Sequence, residues 1–148
     1  MTKTLFPSKR DEHLELLQRV SLFRACSRDE VRQIGALTTE IQVEKGHVLC
    51  RAGDVGREAF IVVDGYATVR RGFTRLATIG PGGFFGEMAL LDGGPRVADV
   101  VATTPMRLLV LSQPELKSMI TAVPSVALKM LQGIGARLRR VEADGPIV

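Results

Sequence analysis

Ala59-Phe-Ile-Val-Val-Asp-Gly-Tyr-Ala-Thr-Val-Arg70 is the stretch on which the fold turns. Two β-prone runs flank Asp64-Gly65, and a tight turn there needs the positive φ that glycine tolerates. The expected unit is a hairpin, Ala59–Val63 against Tyr66–Arg70. The same grammar continues outward. Ile41 and Val43 alternate with Glu40, Gln42 and Glu44, the two-residue period of a half-buried strand. Lys45-Gly46 and Ala52-Gly-Asp54 punctuate short strands, and Arg71-Gly72 and Gly80-Pro-Gly-Gly83 bracket a run around Leu76–Ile79. Val97–Ala102 and Met106–Leu111 are further strands, broken by Thr104-Pro105. Short strands with frequent turn signals predict an antiparallel barrel or sandwich.

Helical periodicity lies on both sides of this region. His13-Leu-Glu-Leu-Leu-Gln-Arg-Val20 reads as a short amphipathic helix. Ser27-Arg-Asp-Glu30 is a capping box, in which the serine oxygen takes the Glu30 amide and Glu30 reaches back to the Ser27 amide. Val31, Ile34 and Leu37 then share one face, so a helix runs from Arg28 to about Thr38. Ser112-Gln-Pro-Glu115 is a second box, opening a helix to about Ala122, and Pro124 opens a last helix towards Val141. Gly133 and Gly135 mark a weak point, a close contact or an end near Gln132, at roughly 1 kcal/mol each against alanine.

At 148 residues the chain has the length of one domain with its own core, and at 45% hydrophobic residues it is not a disordered one. The N-terminal Met1–Arg10 has no apolar core of a signal peptide, and no apolar run approaches a membrane span. Cys26 and Cys50 are too few for a disulfide scaffold, which points to reduced thiols and a cytoplasmic setting. No nucleophile elbow or phosphate-loop signature occurs, and two histidines, His13 and His47, are too few for a zinc or cupin-type centre. The sequence therefore predicts no catalytic residues, no metal and no enzyme.

One segment remains: Phe84-Phe-Gly-Glu-Met-Ala-Leu-Leu-Asp-Gly-Gly-Pro-Arg-Val-Ala-Asp-Val-Val101. Gly86 permits close backbone approach, and Glu87–Leu91 makes one helical turn whose free N–H groups favour an anion. Arg96 can return to the same place and grip a phosphate with its planar fork. Glu87 can accept a hydrogen bond from a hydroxyl, so the pair suits a sugar phosphate. A Glu87–Arg96 salt bridge beside a glycine-rich loop explains the same residues.

F-G-E-x-A-L-L followed by P-R, from Gly86 to Arg96, resembles the phosphate-binding cassette of the cyclic nucleotide-binding domain family. Leu22-Phe23, the capped helix, Gly46, Gly53-Asp54, Phe60 and Gly65 extend the resemblance over nearly the whole chain. It implies a mainly β fold: an antiparallel jelly-roll-like β-roll, with an N-terminal helix and two C-terminal helices. Residues 1–148 would form a single domain, with helical residues 1–38, the β-roll 39–111 carrying a cassette at 84–98, and C-terminal helices 112–144. By position the resemblance gives Arg96 the cyclic phosphate and Glu87 the ribose 2′-hydroxyl. The amides of Ala89 and Val97 would join the phosphate, Gly86 would admit the ribose, and Phe85, Met88 and Ala98 complete the binding set. Cassettes favouring cGMP often carry Thr or Ser after the arginine; Val97 here implies cAMP, with cGMP weaker. Several relatives also place an acid after the second glycine of the 53–56 loop to orient the arginine, where this chain has Arg57 and then Glu58.

The last helix spaces Ala127, Leu131, Ile134, Leu138 and Val141 as a coiled-coil seam. In relatives this helix covers the base and often dimerises, so a homodimer and a helix lying on its own barrel both stay open. Arg137-Leu-Arg-Arg140 and Arg70-Arg71 carry much of the net charge of +4, and a solvated basic face accounts for them without DNA. Transcription factors of the related type carry a helix-turn-helix domain after this helix; no such motif is read here, so DNA is not the expected partner. The expected role is a cAMP sensor that signals through its C-terminal helices to an effector protein. The alternatives are a nucleotide-independent interaction module with a degenerate cassette, and the sensor part of a DNA-binding regulator.

Overall fold

In the computed structural model, residues 9–144 are described. They divide into two compact units, the β-rich Leu37–Leu116 and a helical unit drawn from both ends of the chain.

The β unit is two four-stranded antiparallel sheets. β1 (Thr39–Val43), β8 (Met106–Ser112), β3 (Glu58–Asp64) and β6 (Phe84–Phe85) lie in that order in one. β2 (Val48–Cys50), β7 (Asp99–Ala102), β4 (Ala67–Arg71) and β5 (Thr74–Ile79) form the other. The fold is thus mainly β with flanking helices, as expected. Inward residues of both sheets make one core, with Phe60, Val62, Leu108 and Val110 meeting Cys50, Ala67, Val100 and Ala102. Phe60 sits opposite both Val110 and Phe85. β3 is buried along Ala59–Val63, which is why its sequence is an unbroken apolar run rather than an alternating one.

The expected hairpin at Asp64-Gly65 does not form. β3 pairs with β8 and β6, whereas β4 pairs with β5 and β7, so the chain changes sheets at this dipeptide. Gly65 does adopt positive φ, +92°. A Cβ there would lie 2.3 Å from the Pro105 carbonyl oxygen, so the corner is also a close crossing of two chain segments. The Tyr66 amide donates to Thr104 Oγ1 at 2.9 Å, and the Thr103 amide donates to the Tyr66 carbonyl at 2.9 Å. Those bonds to a distant turn replace the partner strand that a hairpin would have supplied. The real hairpin is β4–β5, closed over Gly72.

The helical unit contains α1 (Lys9–Arg19), α2 (Arg28–Leu37) and α5 (Ser125–Asp144). Another helix, α4 (Gln113–Ala122), has residues in both units. The Ser27 box is present as read: the Glu30 amide donates to Ser27 Oγ at 3.2 Å, and the Ser27 amide to Glu30 Oε1 at 2.7 Å. Glu30 is buried and does more than cap. Lys129 Nζ pairs with its Oε1, and Ser125 Oγ donates to its Oε2 at 2.8 Å. This cationic and hydroxyl company holds the Glu30 carboxyl down to about 2. α5 continues unbroken through Gly133 and Gly135. Its packed face is Val126, Met130 and Gly133, against the 3-10 turn Ser21–Phe23. Ala127 and Ile134 of the expected seam are only half-buried, Leu131 and Leu138 are exposed, and Val141 lies outside the described side chains. The period was legible, but the packed face is one position removed.

Candidate functional site

The segment 84–98 folds as β6, then α3 (Glu87–Asp92), then an extended approach to β7. Gly86 caps α3 with φ +83° and makes no side-chain cap bond to it. Gly93, also left-handed, closes α3 through its amide to the Ala89 carbonyl at 2.8 Å. β7 starts at Asp99, two residues after the expected Val97, and Arg96 lies before it.

Both the backbone and the side chain of Arg96 are held by residues 53–60. The Gly53 amide donates to the Arg96 carbonyl and the Arg96 amide to the Asp54 carbonyl, each at 2.8 Å. Val55 and Pro95 form a β-bridge between these bonds. Arg96 Nη1 then donates to the Glu58 main-chain carbonyl at 2.9 Å, and its Cζ stands 5.8 Å from the centre of the Phe60 ring. Phe60 is in turn stacked on Phe85, with centroids 5.0 Å apart. The guanidinium is therefore oriented by a carbonyl and an aromatic face. An acid after Gly56 is not required, and Arg57 offers its carbonyl to the Gln113 amide instead.

Two glycines make room for that guanidinium. A Cβ on Gly56 would lie 2.1 Å from Arg96 Nε, and one on Gly86 would lie 2.7 Å from Nη1. Among the described residues, the Glu58 carbonyl is the one hydrogen-bond acceptor of this five-donor fork, so most of the fork is available to a ligand. The buried Cys50 thiol is pushed up by desolvation, with the Arg96 charge opposing the shift and Glu58 adding to it.

Of the expected residues, the structure brings Phe85, Gly86 and Arg96 together. Phe85, Ala89 and Ala98 are buried, Glu87 is half-buried at the start of α3, and Met88 and Val97 are exposed. Sequence reasoning missed Gly56, Phe60, Cys50 and the Glu58 carbonyl as partners of Arg96; the Gly53–Gly56 spacing was the available signal. Among the described residues no cluster of His, Cys, Asp or Glu could hold a metal ion. No single described helix is long and apolar enough to cross a membrane.

Chemically the site brings a forked cation, the glycine-led start of α3 and the Glu87 carboxylate into one short segment. The chain is 31% identical over 134 residues to a CRP-like cAMP-activated global transcriptional regulator of Mycobacterium tuberculosis, covering 85% of this chain and 58% of that protein. It is 34% identical over 113 residues to a cyclic nucleotide-gated potassium channel of Mesorhizobium japonicum, covering 76% and 31%. The chain thus spans about a third to three-fifths of these relatives. The N-terminal domain of a Streptomyces coelicolor transcriptional regulator superposes with a TM-score of 0.81 at 29% identity, covering 90% of this chain and 99% of that one. The cyclic nucleotide-binding domain family matches residues 40–122, and the chain belongs to that family.

Proposed function

We propose that the chain is a cAMP sensor, and that residues 84–98 are its phosphate-binding cassette. The observation that carries this is the Arg96 fork, pre-oriented by Glu58 and Phe60 yet with most of its donors open. Arg96 and the amides of Ala89 and Val97 take the cyclic phosphate, and Glu87 takes the ribose 2′-hydroxyl. Phe85, Gly86, Met88 and Ala98 shape the rest. Val97 has no hydroxyl for guanine, so cGMP binds more weakly. Residues 1–148 act as one cytoplasmic, non-catalytic module. Ligand shifts the population of C-terminal helix arrangements, which an effector protein reads. Exposed Leu128, Leu131 and Leu138 on α5 support a homodimer through that helix. Membrane attachment and DNA binding form no part of the proposal.

Calorimetry of the whole chain against cAMP and cGMP tests the reading. Arg96→Ala should lose about 2–5 kcal/mol of cAMP binding, whereas binding within threefold of wild type would refute the cassette. Val97→Thr should narrow the cAMP–cGMP gap by about 0.5–1.5 kcal/mol, one neutral hydrogen bond. A nucleotide-independent interaction module would show no heat with either ligand.

A further inference from the structure

Apart from the cassette, a cavity of about 400 Å³ opens in the β unit. It is lined by the apolar Ile41, Leu49, Phe60 and Val110, by the acidic Glu58 and Glu115, and by His47 and Ser112. None of residues 85–89 or 96–98 lines it, although Glu58 and Phe60, which hold Arg96, do. The volume falls within the roughly 300–1,000 Å³ of small-molecule sites. An aromatic and aliphatic lining beside two carboxylates selects by charge and by shape together. An anion meets two like charges, and a neutral molecule leaves the carboxylates without a counter-charge. A compact ammonium ion satisfies both halves, because its three N–H donors face carboxylate oxygens while its hydrocarbon body covers the wall.

We infer that this cavity binds a compact organic cation with an aromatic or branched apolar body, and that its occupancy is felt at Arg96. The link is two shared residues. Glu58 lines the cavity and accepts Arg96 Nη1 on its main-chain carbonyl. Phe60 lines the cavity, underlies the guanidinium and stacks on Phe85. A ligand pressing on Phe60 therefore moves the support of the fork. The binding itself does not depend on the cAMP reading; only its consequence for nucleotide affinity does.

Benzylammonium is the probe, titrated into the full chain while methyl resonances of Ile41, Leu49 and Val110 and the Arg96 Nε–H are followed by NMR. Benzyl alcohol and benzoate are the controls. The expected result is saturable shifts of all three methyls and of Arg96 Nε–H with benzylammonium, and none with benzoate. Glu115→Gln alone should weaken the binding on the order of tenfold, the loss of one charge-assisted bond. Leu49→Trp, which fills the cavity, should abolish it. The site is overturned by no saturable methyl shift, by equal binding of benzyl alcohol, or by a Glu115→Gln variant that binds as wild type. Methyl shifts without any change at Arg96 would overturn the link. cAMP titrated separately reports on the cassette, so a chain that ignored cAMP would still show whether this cavity binds the cation.

Discussion

Gly56 and Arg96 occupy each other's space: the position a Gly56 side chain would fill holds the Arg96 guanidinium, with Nε 2.1 Å and Cζ 2.3 Å from the missing Cβ. Glycine is needed here for volume, since the backbone of residue 56 is not left-handed. Gly56→Ala should therefore swing the guanidinium off the Glu58 carbonyl without breaking the fold. The expected outcome is a cAMP affinity lowered by about tenfold or more, with stability changed by less than about 1 kcal/mol. Calorimetry beside thermal melting checks both halves.

The Gly65 corner behaves oppositely. Ala at 65 must hold φ near +92° and clash with the Pro105 carbonyl, so Gly65→Ala should cost about 3 kcal/mol or more. Gly72 is also left-handed, at φ +62°, but nothing lies within 4 Å of its would-be Cβ. Gly72→Ala should cost about 1 kcal/mol, the conformational strain alone. Urea denaturation of the two variants separates strain from collision, and equal losses would refute the crossing.

Glu30 ties the stability of the helical unit to pH. Its carboxyl falls from an ordinary 4.5 to about 2 in the fold, chiefly through Lys129. The stabilisation is therefore complete above 4.5 and is lost as pH falls from there towards 2. Glu30→Gln should cost about 1–3 kcal/mol at neutral pH. Melting curves from neutral pH downward should show the gap between wild type and Glu30→Gln closing over that acid window. A gap that stayed constant would dismiss the charged pairing.

Leu131 is 64% exposed on α5, so Leu131→Glu should change monomer stability by less than about 0.5 kcal/mol. If α5 forms the homodimer interface, the same substitution shifts sedimentation from dimer to monomer. A wild-type chain that sediments as a monomer at every concentration would remove the dimer from the proposal.

What was legible in the sequence was what is local. The Ser27–Glu30 box closes within four residues, and the Gly86–Arg96 segment that carries the family resemblance is continuous in sequence. Lys129 and Ser125 on Glu30 were not legible, because they arrive from the other end of the chain. Asp64-Gly65 is ambiguous in sequence because a glycine at positive φ serves a hairpin and a sheet-to-sheet corner equally; Thr103 and Thr104 decide between them. The grip on Arg96 is invisible in sequence because its hydrogen-bond partner is a carbonyl, which every residue has. On α5 the heptad period is visible, yet which face packs depends on the neighbours of Val126 and Met130.

The strand order has a consequence for the chain as it is made. β1 pairs with β8 alone, Thr39 facing Val110 and Val43 facing Met106. On a ribosome, β1 therefore emerges with its ladder unfilled and waits until almost all of the β-roll has followed. β3 waits for the same strand, holding its apolar run open meanwhile. Closing such distant pairs is slow, and an unpaired apolar strand is a template for other chains. Nascent chains stalled before Met106 should accordingly be prone to aggregate, and release of β8 should be the event that ends the exposure.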